Sequence, residues 1–142
     1  MWREAITGWA EAPVAFGEPA SEAAIQDAEQ ALGKALPAEL VALLRECDGV
    51  EDEDGLGLIW PIRRIVIDNL EFRTDTTFAR LYMPFEPLLF FADAGNGDQF
   101  CFVMRERPAD VFAWFHETDS RTMVAPSLEG YLEWTLDGRL TL

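Results

Sequence analysis

A chain of 142 residues, 49% hydrophobic and 12% aromatic, has enough apolar side chain for one domain with its own core, which excludes a disordered protein. Its 26 Asp and Glu outnumber 11 Lys and Arg, for a net charge of −15. Such a field repels nucleic-acid phosphates and anionic lipid, so direct nucleic-acid and membrane partners are disfavoured, while a basic protein is admitted.

The chain opens on Met1-Trp2-Arg3-Glu4. This start has neither the basic patch nor the apolar run of a signal peptide, and the expectation is a cytoplasmic protein. Trp2, Ile6 and Trp9 are spaced to share one face of a short helix over residues 2–11, which Pro13 and Gly17-Glu18-Pro19 end. Ser21 is a natural N-cap for a second helix carrying Ile25, Ala28 and Leu32, and Gly33 stops it. Pro37 suits the first position of a third helix, where Leu40, Leu43, Leu44 and Cys47 recur at i, i+3, i+4 and i+7. Gly49 suits its C-terminal cap. Residues 51–55 read as a solvated loop, and Leu56 to Trp60 as a short strand stopped by Pro61. The apolar positions between Ile62 and Tyr82 predict one or two irregular helices.

Beyond residue 87 the pattern changes to short aromatic and β-branched runs: Leu88 to Phe91, Gln99 to Met104 and Val111 to Phe115. The loop 93–98 joins the first two, and Arg105 to Asp110 joins the second pair, so the strands form an antiparallel meander. Phe100 and Phe102 alternate with Cys101 and Val103, so the middle strand is apolar on both faces and is expected to be central. Thr122 to Val124 suggests a further strand. Pro126 and Ser127 open a closing helix with Leu128, Tyr131, Leu132 and Leu136 as its apolar stripe. Helices first, then strands, then a helix predict an α+β fold, one domain over residues 1–142.

The chemistry on offer is sparse. His116 is the only histidine, in His116-Glu117-Thr118-Asp119-Ser120-Arg121, and adjacency in sequence does not make a triad. One His and two Cys do not assemble a zinc site, and both Cys47 and Cys101 read as buried hydrophobes in a reducing compartment. The loop 93–98 misses the calcium-loop pattern, with Gly95 at position 3, Gly97 at position 5 and Met104 at position 12. No metal or cofactor is predicted. The densest feature is acidic: Glu46, Asp48, Glu51, Asp52, Glu53 and Asp54. It reads as a solubilising loop or as a patch that steers a basic partner. Trp60 is core, or an anchor if it lies at a rim.

Four ordered pieces of the chain resemble the SUKH superfamily, which includes the Smi/Knr cell-wall regulators of yeast and many bacterial immunity proteins. They are Ser21 to Gly33 followed by Leu36-Pro37-Ala38-Glu39-Leu40 to Gly49; Leu58-Ile59-Trp60-Pro61 with Asp68 to Arg73; Leu89 to Phe100; and Val111-Phe112-Ala113-Trp114 through His116 to Leu128. Phe115 stands where an Asp is expected beside the histidine, which weakens a polar role there. The resemblance implies an α+β scaffold without known catalytic residues that neutralises a toxin by direct binding. Many such toxins are nucleases with basic surfaces. The expected partner is thus a cognate toxin or another basic protein. Candidate contact residues are Glu51, Asp52, Glu53, Asp54, Trp60, Asp93, Asn96, Asp98, Glu117 and Asp119. Two other readings stay open at this point: a small hydrolase or metal-dependent enzyme using Asp93, Asp98, His116, Glu117 and Asp119, and a small-molecule scaffold with a pocket near Trp60, Phe91 and Trp114. Monomer and dimer are both open.

Overall fold

The computed structural model describes residues 1–105 and 108–142. Residues 106 and 107, within the connection expected from Arg105 to Asp110, lie outside the described residues. In chain order the elements are α1 (Trp2–Trp9), β1 (Ala15–Phe16), α2 (Glu22–Leu32), α3 (Ala38–Glu46), β2 (Val50–Glu51), β3 (Gly57–Ile59), α4 (Ile62–Thr74), α5 (Thr76–Leu81), β4 (Leu88–Asp93), β5 (Gln99–Val103), β6 (Val111–Phe115), β7 (Ser120–Ala125) and α6 (Leu128–Leu136). This is the α+β fold expected. Strands β4-β5-β6-β7 form an antiparallel four-stranded meander, and β1-β2-β3 form a small antiparallel sheet.

Strands β4 and β5 of the meander are apolar on both faces, and the sheet is packed on both there. On one side Phe90 and Trp114 meet Phe72 of α4 and Phe85, with ring centroids 4.8–6.1 Å apart. On the other, Phe91 and Phe100 pack on Tyr131 of α6 at 5.2 and 4.8 Å. Helix α6 in turn packs on α1 and α3. The order of layers is therefore helices, sheet, helices. The middle strand is central as expected, with Phe100, Cys101 and Phe102 at most 4% exposed.

Local chemistry explains most boundaries. The Ser21 hydroxyl accepts from the Ala24 amide at 3.1 Å, and Gly33 leaves α2 in the left-handed region at φ 73°. The Ser127 hydroxyl caps α6 through the Gly130 amide at 2.9 Å. The segment expected to be irregular is two regular helices, split where the Asp75 carboxylate caps α5 through the amides of Thr77 and Phe78. Two expectations shift. Pro37 is the cap residue before α3, one position earlier than expected. Gly49 does not cap α3, which ends on extended Cys47. At φ 103°, Gly49 instead lets the chain pass Pro61, whose nitrogen would sit 3.1 Å from a Cβ there.

One buried polar side chain ties α4 to the sheet. Asn69, 1% exposed, donates to the carbonyls of Ile65 and Phe90 at 2.7 and 2.8 Å and accepts from the Phe90 amide at 2.8 Å. It completes the hydrogen bonding of an edge-strand residue that would otherwise be unpaired in the core.

Candidate protein-binding surface

The acidic cluster divides into two functional halves. Glu46 caps α1: its carboxylate accepts from the α-amino group at 2.8 Å and from the Trp2 amide at 2.8 and 2.9 Å. The α-amino group, with the Trp2 amide, holds this carboxyl below its usual range. Asp48 accepts from the Ile62 amide at 2.7 Å, at the start of α4. Asp52 accepts from the amides of Asp54 and Leu56, both at 2.9 Å, and so builds the turn between β2 and β3. These three carboxylates have internal work. Glu51, Glu53 and Asp54 are exposed, and none of their side chains has a hydrogen-bond or ion-pair partner among the described residues.

A groove of about 290 Å³ runs beside this turn, with Pro13, Val14, Leu56 and Leu136 in its walls. Glu11 stands on it together with Glu53 and Asp54. Sequence reading gave no role to Glu11, because it lies some forty positions from the acidic loop and no local pattern joins them. The arrangement offers exposed negative charge around apolar surface, which suits a cationic side chain with an aliphatic stem.

The remaining candidates are placed differently. Trp60 is not a rim anchor: it is fully buried, its indole N–H donates to Asp93 at 3.0 Å, and the Arg64 guanidinium lies 4.0 Å over its ring. Asp93 also takes a two-pronged pair from Arg64 at 2.8 and 3.0 Å, while Arg64 Nε reaches Asp68 at 3.0 Å. Gly57 makes room for this contact, since a Cβ there would stand 2.8 Å from the Trp60 ring and 3.2 Å from Asp93. Asp98, 8% exposed, accepts from the His116 amide at 3.0 Å and meets His116 Nδ1 at 2.6 Å. Burial pushes the Asp98 carboxyl up, but the His116 amide and ring outweigh it and hold it below its usual range. Asn96 accepts from the Asp98 amide at 3.1 Å within the same hairpin. Asp119, at φ 59°, accepts from the Met83 amide and the Trp114 indole, both at 2.8 Å, and pairs with Arg121 at 3.1 Å. Burial again pushes that carboxyl up, and the Met83 amide, Trp114 and Arg121 overcome it and hold it low. Glu117 is exposed.

The polar residues at the strand ends thus act as ties between neighbouring segments. A carboxylate facing Nδ1 makes that nitrogen the donor and leaves Nε2 as the one available to a substrate proton. Among the described residues no hydroxyl or thiol hydrogen-bonds that nitrogen, and no group of three His, Cys, Asp or Glu could hold a metal ion. The aromatic rings offered for a small-molecule pocket are spread apart: Trp114 packs among Phe72, Phe85 and Phe90, Phe91 packs on Phe102 and Tyr131 across the sheet, and Trp60 lies under Arg64. A cleft of about 340 Å³ reaches Trp60, but neither Phe91 nor Trp114 lines it.

Fold and surface together define an acidic α+β scaffold in which Asp93, Asp98 and Asp119 are spent on structure. The SMI1 / KNR4 family (SUKH-1) matches residues 19–134, most of the chain, and the protein belongs to this family. The match leaves out α1, β1 and Glu11. A search of curated proteins finds no match to the chain. Among the described residues, no helix is long and apolar enough to cross a membrane.

Proposed function

We propose that this protein works in the cytoplasm by binding a basic protein, a cognate toxin, and neutralises it without catalysis. The observation that carries this reading is the set of unpaired carboxylates Glu11, Glu53 and Asp54 around an apolar-walled groove, with exposed Glu51 in the adjoining strand, on a chain of net charge −15. Membership of the SUKH-1 family supports the toxin as partner, since immunity proteins are common in that superfamily. The engagement of Asp93, Asp98 and Asp119 in internal ties supports binding over catalysis.

Long-range attraction of this kind acts on association rate and is screened by salt, with a Debye length of about 8 Å at physiological ionic strength. Replacing Glu51, Glu53 and Asp54 together by Ser slows association with the cognate partner at low salt and matters little at high salt. Asp52 is kept, because its substitution would unmake the turn and confuse the readout. Stability, read from a thermal melt, changes by no more than exposed-charge effects do, under about 1 kcal/mol. An unchanged association rate across the salt series, measured by surface plasmon resonance, contradicts the proposal and returns the loop to a solubilising role.

A further inference from the structure

A second surface lies away from the acidic turn. Helix α2 buries Ile25, Ala28 and Leu32, and beside that stripe it carries Ala24 and the exposed Ala31. Helix α4 packs against it and buries Ile62, Ile65 and Asn69. Between the two helices runs an apolar groove of about 350 Å³, walled by alanines on one side and by Ile62, Val66 and Ile67 on the other. Ile67 is 51% exposed and Leu70 36% exposed, side by side on the outer face of α4. A β-branched residue lowers helix propensity, and the monomer leaves half of Ile67 in water beside Leu70, so the two form an apolar ridge that folding uses only in part.

The charges on this face complement each other within one copy of the surface. The only charged residues lining the groove are Asp27 from α2 and Arg63 from α4. Both are exposed, and neither has a side-chain partner among the described residues. Helix α2 carries Glu22, Asp27 and Glu29 and no cation, whereas α4 carries Arg63, Arg64 and Arg73 against Asp68 and Glu71. A two-fold axis through such a groove brings the acidic helix of each copy to the cationic helix of the other. A surface with one acid and one base flanking a ridge and a groove is self-complementary in the way an isologous interface requires.

We propose that this face joins two copies of the chain, with the Ile67–Leu70 ridge of each seated in the alanine-walled groove of the other and Asp27 of each paired with Arg63 of its partner copy. The inference does not depend on the acidic-turn reading, because the two surfaces share no residue.

The test is sedimentation and light scattering of the full chain across a concentration series. The expected result is a concentration-dependent mass approaching twice 16.0 kDa. Ile67→Glu should leave a monomer at every concentration with an unchanged melt. Asp27→Arg and Arg63→Asp should each weaken association at least about tenfold, which is about 1.4 kcal/mol, and the double variant should regain most of the loss. A wild-type chain that stays monomeric throughout overturns the proposal, as does a dimer that survives Ile67→Glu. Single charge variants that are weakened without recovery in the double variant overturn the pairing. A monomer whose Ile67→Glu variant loses a different protein partner assigns the face to that partner instead.

Discussion

Asn69 shows how much a single residue can hold here. Its amide makes three hydrogen bonds inside the core, two of them to the backbone of Phe90. Asn69→Leu has nearly the right volume but leaves the Phe90 N–H and C=O buried without partners. Each orphaned group costs about 1–3 kcal/mol, so the variant should lose at least about 2 kcal/mol. Urea denaturation checks this: the midpoint should fall with the slope unchanged. A midpoint within error of wild type would mean that water or a backbone shift serves Phe90 equally well. Asp98 and Asp119 make a second residue-scale prediction, with a sign fixed by their environments. Both carboxyls are held below their usual range in the folded protein. The unfolded chain therefore binds protons first as pH falls. The stability they supply is complete well above the unfolded value of about 3.9 and is lost as pH drops through the lower folded values. A thermal melt series should fall steeply below about pH 4, and Asp98→Asn with Asp119→Asn should flatten that fall.

At the scale of elements, the helix ends were legible because their signals are local. Ser21 and Ser127 sit three residues before the amides they cap, and the Leu40-Leu43-Leu44 stripe repeats within one helix. The meander was legible because its strands alternate and their connections are short. Strand β1 was not, since two residues hold no period and their partner lies at Val50–Glu51. The acids were the least legible part of the site. Glu46, Asp48 and Asp52 look the same in sequence as Glu51, Glu53 and Asp54, yet their partners are distant amides at Trp2 and Ile62, or lie within a turn whose geometry the sequence leaves open. Trp60 was ambiguous for the same reason: its partners, Arg64 and Asp93, come from two different elements. A direct check is Glu46→Gln, which keeps the volume but removes the charge facing the α-amino group. It should cost about 1 kcal/mol, in the range of a lost helix cap. Hydrogen exchange should locate the loss in the amides of α1, ahead of those of α3. Equal protection in α1 would remove Glu46 from the capping set.

For the whole molecule, the balance between spent and unspent charge is the main result. Five arginines, Arg45, Arg64, Arg105, Arg121 and Arg139, are paired with Glu22, Asp68, Asp93, Asp110, Asp119 and Glu133, while Glu51, Glu53 and Asp54 face solvent without such partners among the described residues. The acidic excess is uneven, because helix α4 carries three arginines against two acids and the groove beside it is lined by one charge of each sign. The two surfaces would allow a dimer to present two acidic turns, each free to meet a basic partner. The central claim is that the acidic turn recruits such a partner. It is tested most directly by affinity capture from the native cell at low and high salt, using the wild-type chain and the Glu51, Glu53 and Asp54 to Ser variant side by side. The account predicts a basic protein, identified by mass spectrometry, that the wild type retains at low salt and releases at high salt, and that the variant retains poorly at either. A partner held equally by both chains, or no partner at low salt, would contradict it.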